Sequence, residues 1–308
     1  MEERMICLQN RQASRQKRRR RQRTRFLHAA VWALALAGML VLGREIFSQF
    51  RQITPLPGGL PYEAAEPAGG GQVEVIRSPL DGETLRTLQA LAAQDPRVQD
   101  VIDNCREYPE DLLKMLSRNL DMLDFVLEYP EKQGQVFAGT IGDVKTGEIP
   151  LLLQYDQRWG YGAYGASSVV VSGCGPACLS MVAAGLTGDN TITPYAVAQY
   201  ADQEGYYVYG AGTAWSLMSR GAARFGVEGE ELPLMKSRME SALREGHPII
   251  CVVGPGDFTT SGHFIVITGM RDGQFTVNDP NSTERSNLLW DYETLEPQIS
   301  NLWAFRTV

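Results

Sequence analysis

Histidine and cysteine are both scarce, with three His and five Cys in 308 residues. His28 and Cys7 fall near the N-terminus, which leaves His247, His263, Cys105, Cys174, Cys178 and Cys251, with no CxxC or HxxxH spacing among them. A zinc site takes about four such ligands, so no metal or other cofactor is expected. A disulfide between Cys174 and Cys178 is also disfavoured. At i and i+4 on a helix the two side chains stand roughly parallel, whereas a disulfide needs a dihedral of about 90°. Aromatic residues are missing from the basic run "RQKRRRRQRTR" at 15–25. Alone, such a run could grip RNA, but its neighbourhood points elsewhere.

What is present is a charge asymmetry. Residues 1–25 carry ten Lys/Arg against two Asp/Glu, a local charge of +8, while the whole chain carries -7. Residues 26–43, "FLHAAVWALALAGMLVLG", are apolar except for His28. Eighteen helical residues span roughly 27 Å, enough for a bilayer core. Arginines on the N-terminal side keep that end cytoplasmic. The expectation is a basic cytoplasmic tail (1–25), a single-pass transmembrane helix (26–43) and an extracellular remainder, with no nucleic-acid partner. A cleaved signal peptide is the rival, since "ALALA" offers small-residue cleavage sites, but the apolar run continues past them.

Residues 44–79 read as a flexible linker. The stretch "TPLPGGLPYEAAEPAGGGQ" is rich in Pro and Gly and cannot bury a core. Residues 80–132 turn helical, with Leu85, Leu88, Leu91 and Ala92 on one stripe. "DPRVQDVI", "YPEDLLKML" and "LDMLDFVL" follow at intervals of 12 or 13 residues. The first two carry proline at the helix start, suited to a first turn. A small helical module is expected here. It holds no Cys–His pair, so a chain beginning near residue 147 should keep its chemistry.

From residue 149 onward, segments 179–186, 195–204, 214–225 and 235–245 read as helices. Residues 249–254, 263–270, 274–280 and the C-terminal "LWAFRTV" read as strands. Helices first and antiparallel strands second indicate an α+β domain over 149–308.

Within it, "SGCGPACLSM" places Cys174 where a helix should begin, with Ser172 and Gly173 as the cap and Pro176 in the first turn. Unpaired N–H groups and the macrodipole there favour a thiolate and can hold an oxyanion. A nucleophile and a buried structural cysteine both remain open on residue types alone. Cys178, on the core-facing stripe, reads as a small buried hydrophobe, as do Cys105 and Cys251. A thiol nucleophile needs a base, and the base an orienting acceptor. "GHFIVITGMRDGQFTVNDP" reads as strand, Asp272-Gly273 turn and strand. His263 begins the first strand and Asp279 ends the second, so the hairpin brings them side by side. His247 lies in a helix-to-strand turn and reads as structural.

"LLLQYDQRWGYGAYG", "SGCGPACLSMV", "GHPIICVV" and "GHFIVITGM…VNDP" together resemble, in order, the C39-like branch of the papain-like cysteine peptidases. The resemblance covers residues 150–308. It implies a papain-like fold, with a helical half carrying the Cys and an antiparallel sheet half carrying the His and Asp. It implies Cys174 as nucleophile, His263 as general base and acid, and Asp279 as orienting residue. Gln154 matches the glutamine that completes the oxyanion hole, with Gln157 a second candidate, and Trp159 matches a structural tryptophan. The implied substrate is a peptide or protein. No ATPase or multi-span segment follows, unlike the C39 peptidases of bacteriocin export. Two other readings stay open: a catalytically silent papain-like module that binds peptides or wall polymers, and a cell-wall endopeptidase. The second lacks its "DCSG"-like block.

Overall fold

The computed structural model describes residues 80–308; the basic tail, the apolar run 26–43 and the linker 44–79 lie outside the described residues. Among the described residues no helix is long and apolar enough to cross a membrane.

Asp81 starts the first helix, its carboxylate accepting the N–H groups of Glu83 and Thr84 at 2.9 and 2.8 Å. Helix α1 (Gly82–Ala92) is followed by α2 (Val98–Asp103), α3 (Glu110–Leu116) and α4 (Leu123–Lys132). Pro109 occupies the N-cap of α3, and Pro96 lies one residue ahead of the N-cap of α2. Both stand outside the first turns expected for them, because their helices open one or two residues later. Leu88, Val101, Leu112, Leu116, Phe125 and Tyr129 bury one another, and the same cluster takes in Tyr155, Tyr161 and Val170. The Tyr161 ring stacks on Phe125 with centroids 4.0 Å apart. Its hydroxyl donates to the Phe125 carbonyl at 3.2 Å. The helical module and the segment after residue 149 therefore share a hydrophobic core, and both fall in one compact unit.

The chain then forms a two-residue-strand hairpin, β1 (Ala163–Tyr164) with β2 (Ser167–Ser168). A single turn, α5 (Val169–Ser172), leads into the central helix α6 (Cys174–Thr187). Every residue of α6 from Gly175 to Gly185 is buried, as befits a helix that is apolar on all sides. Helix α7 (Pro194–Gln203) is capped by Thr193, whose hydroxyl accepts from the Ala196 N–H, with Pro194 in its first turn. A second small hairpin, β3 (Tyr207–Val208) with β4 (Gly212–Thr213), precedes α8 (Ser216–Ser219) and strand β5 (Val227–Glu231).

Helix α9 (Lys236–Arg244) leads to β6 (Ile249–Val253), β7 (His263–Arg271) and β8 (Gln274–Asn278). Then come α10 (Thr283–Asn287), β9 (Leu289–Trp290), α11 (Tyr292–Leu295) and β10 (Ile299–Thr307). The six-stranded sheet has the order β5-β10-β6-β7-β8-β9, all neighbours antiparallel. Alternation along β6 splits two cores. Ile250 and Val252 face α6 together with Phe264 and Val266, while Ile249, Cys251 and Val253 pack with Met239 of α9 and Phe258. Mixed helix and antiparallel sheet, as expected, thus covers residues 149–308. Strand β5 was not expected. Its "VEGEE" is charged because it is an edge strand with most side chains exposed, so no hydrophobic alternation marks it.

Candidate active site

Cys174 is the first residue of α6, and Gly173 is its N-cap with no side-chain bond. Ser172 ends α5 instead of capping α6. The sharp α5–α6 junction explains this. A side chain at 173 would place its Cβ 2.4 Å from the Val169 carbonyl oxygen, so only glycine fits. Gly175 is constrained too: a Cβ there would lie 2.8 Å from Thr213 of β4. The two glycines let the β3–β4 hairpin close on the helix start while the sulfur stays reachable.

The β7–β8 hairpin turns at Asp272 and Gly273, both with positive φ (54° and 83°), the geometry that favours an Asp-Gly pair. Its register pairs Val266 with Asn278, one residue short of Asp279. His263 Nε2 meets Asp279 Oδ1 at 2.7 Å. With Nε2 engaged, Nδ1 is left for the thiol, and the Cys174 thiol and the imidazole each favour the other's charged form. The backbone N–H groups of Phe264 and Gly175 also favour the anionic sulfur.

Asp279 is fully buried. Its Oδ1 also accepts the Asn281 N–H at 2.7 Å, and its Oδ2 accepts Arg285 Nε at 2.6 Å. Burial alone would raise the Asp279 carboxyl, but His263 and Arg285 outweigh it and hold the carboxyl below its ordinary value. Burial would lower the His263 imidazole, yet the Asp279 charge and hydrogen bond, joined by Cys174, raise it well above the ordinary histidine range. For Cys174, burial opposes ionisation, but the His263 bond and charge and the two N–H groups more than reverse it, so the thiol is lowered. This arrangement favours a thiolate–imidazolium pair.

The other thiols behave differently. Burial pushes Cys178 and Cys251 well up, and neither Cys174 nor Cys178 is in a disulfide. His247 is half-buried beside Glu245 and does not line the cleft. Among the described residues no group of three His, Cys, Asp or Glu is placed to hold a metal.

Gln154 is buried, and its Nε2 donates one proton to the Val170 carbonyl. Among the described residues the second Nε2 proton has no partner, and Oε1 is buried and unpartnered. Gln154, Cys174 and His263 line one cavity of about 1350 Å³. Gln157 is exposed and does not line it. Trp159 is wholly buried, with its indole N–H on the Leu153 carbonyl. Structure thus brings Asp279 onto His263 Nε2 and places Cys174, His263 and Gln154 on the wall of the same cleft.

Two features were missed in the sequence. Arg285 backs the buried carboxylate; its cue was a cation six residues after Asp279, across a turn opened by Ser282. The helical module supplies part of the cleft wall through Lys114, Met115, Arg118 and Asn119, which nothing in their local pattern announced.

Residues 146–305 match the model of the Peptidase_C39 like family. No curated protein matches the chain. Among solved structures, the chain is similar to the peptidase domain of Streptococcus ComA, described as a bi-functional ABC transporter involved in a quorum sensing pathway. The two are 20% identical over 52% of this chain and 100% of that one, with a TM-score of 0.38. It is also similar to a protein from Bacillus anthracis assigned as a C39-like peptidase, 14% identical over 54% of this chain and 99% of that one, with a TM-score of 0.35. With the family model spanning just over half of its length, the chain belongs to the Peptidase_C39 like family.

Proposed function

We propose that the protein is a membrane-anchored cysteine peptidase or amide hydrolase that works outside the cytoplasmic membrane. The observation that carries this reading is Cys174 and His263 together on the wall of a large cleft, with buried Asp279 bonded to His263 Nε2 at 2.7 Å. The Cys174 thiolate attacks the substrate carbonyl. The resulting oxyanion is held by the Cys174 N–H at the start of α6 and by the free Nε2 proton of Gln154. The His263 imidazolium gives its proton to the leaving amine. A water then attacks the thioester carbonyl, with His263 now taking its proton, and the acid product leaves as Cys174 is regenerated. Asp279 keeps the imidazole oriented through Nε2 and transfers no proton. A cleft of this size, with Tyr209 and Trp215 on its rim, suits a peptide or protein substrate. The membrane placement rests on the apolar run 26–43 and the basic tail before it.

One experiment separates chemistry from location. A membrane-impermeant peptidyl probe with a thiol-reactive carbonyl is added to intact cells carrying the wild-type chain or Cys174→Ala. Labelling of wild type alone supports both parts. Labelling that appears only after lysis overturns the outward orientation. A wild-type chain that stays unlabelled in lysed cells overturns the catalytic reading, and the peptide-binding module becomes the better one.

A further inference from the structure

The turn that carries Asp279 is clamped from outside at two successive peptide groups. The Pro280 carbonyl accepts the Gln154 backbone N–H at 2.7 Å. The Asn281 carbonyl accepts Asn119 Nδ2 at 2.8 Å. Inside the turn, the Asn281 N–H donates to Asp279 Oδ1 at 2.7 Å, the same oxygen that meets His263. The Ser282 N–H donates to the Asp279 carbonyl at 3.2 Å. Asn119 is thus joined through two peptide groups to the carboxylate that orients the imidazole. It lies 162 positions from Asn281 in sequence, in the helical module and outside the stretch matched by the family model.

Asn119 is itself held in place. Its Oδ1 accepts the Asp121 N–H at 3.1 Å and so caps the turn Leu120–Met122 that opens α4. One end of the amide fixes the module's helix and the other fixes the turn. Both partners are main-chain groups, so neither moves by a rotamer change.

We infer that Asn119 is a positioning residue of the active site, tying the helical module to the Asp279 turn and so setting the alignment of His263 with Cys174. This rests on the reading of Cys174, His263 and Asp279 as the catalytic groups. Loss of the Nδ2 bond frees the 281–282 peptide to tilt, Oδ1 of Asp279 loses part of its fixed environment, and the thiolate–imidazolium pair weakens. The module then acts on the chemistry through the Asp279 turn as well as forming part of the cleft wall.

The cap and the clamp can be separated. Serine is as good an N-cap acceptor as asparagine, yet its hydroxyl is too short to reach the Asn281 carbonyl. Asn119→Ser therefore keeps the helix start and removes the clamp, and Asn119→Ala removes both. The measurement is the rate of Cys174 alkylation by iodoacetamide against pH, on the full chain, with thermal unfolding followed by circular dichroism. Both variants are expected to shift the alkylation profile up by about one pH unit, which is about tenfold slower labelling on its acid limb. Asn119→Ala should lose more thermal stability than Asn119→Ser, since it loses the cap as well as the clamp. A wild-type profile in Asn119→Ser overturns the inference and leaves Asn119 as a helix cap. Should the serine variant not fold, Asn119→Thr, which also caps, is read by the same criterion. If wild type shows no preference for Cys174, the catalytic reading fails and this inference falls with it; if wild type is selective and the serine variant matches it, only this inference falls.

Discussion

Three cysteines in one domain show how environment sets reactivity. Cys174 and Cys178 lie one helical turn apart, yet burial pushes one thiol up, while at the other burial is outweighed by His263 and the N–H groups of Phe264 and Gly175. Asp279 makes the difference possible, because a wholly buried carboxylate stays ionised only between His263 and Arg285. Its carboxyl is lower in the folded chain than when unfolded, so its ionised form contributes stability at neutral pH. That contribution is lost as pH falls through the folded-state value. Arg285→Leu removes one of the two cations. The expected result is a loss of about 3 kcal/mol at pH 7, at the low end for a broken buried pair because His263 remains. The acid unfolding midpoint, followed by circular dichroism, should move to higher pH. An unchanged midpoint would mean that Arg285 does not hold the carboxylate. The residues of this network differ in legibility. Cys174 and His263 stand in distinctive local patterns, whereas Arg285 is one arginine among many until the turn after Asp279 folds it back.

At the scale of elements, legibility followed how much of an element's burial is local. Helix α6, strand β6 and the first five residues of β7 are buried, so their apolar runs were plain in the sequence. The Asp272-Gly273 turn was plain too, since its two positive φ values call for that pair. Strand β5 was not, because an edge strand exposes charged side chains and pairs only through its backbone with β10. The hairpins β1–β2 and β3–β4 are two residues a strand, too short for any period to register. The start of α6 at Cys174 was legible, with Gly173 as its cap, but Ser172 belongs to the preceding turn. Its N-cap is chosen by the collision between a Cβ at position 173 and the Val169 carbonyl, which is a property of the preceding turn and not of the helix.

At the scale of the molecule, the helical module was legible as helices but not as a part of the site. Its contacts with the later chain are long-range: Phe125 on Tyr161, Asn119 on Asn281, and Arg118 on the Thr260 hydroxyl at 2.9 Å. A chain beginning at residue 147 would expose Tyr155, Tyr161 and Val170, each now buried against the module. At roughly 1.5–3 kcal/mol for each large apolar side chain, that loss is comparable to the whole stability of a domain, about 5–15 kcal/mol. Such a truncated chain is expected to unfold at clearly lower urea concentration than the full chain, or to aggregate; an equal midpoint would show the module to be separable. The central claim is that Cys174 is a nucleophile activated by His263, and limiting iodoacetamide at mildly acidic pH tests it most directly. Peptide mass spectrometry should find Cys174 alkylated ahead of Cys178 and Cys251 in the wild-type chain. In His263→Ala, with the fold retained by circular dichroism, that preference should disappear. Alkylation of Cys178 first, or a Cys174 rate indifferent to His263, would contradict the account.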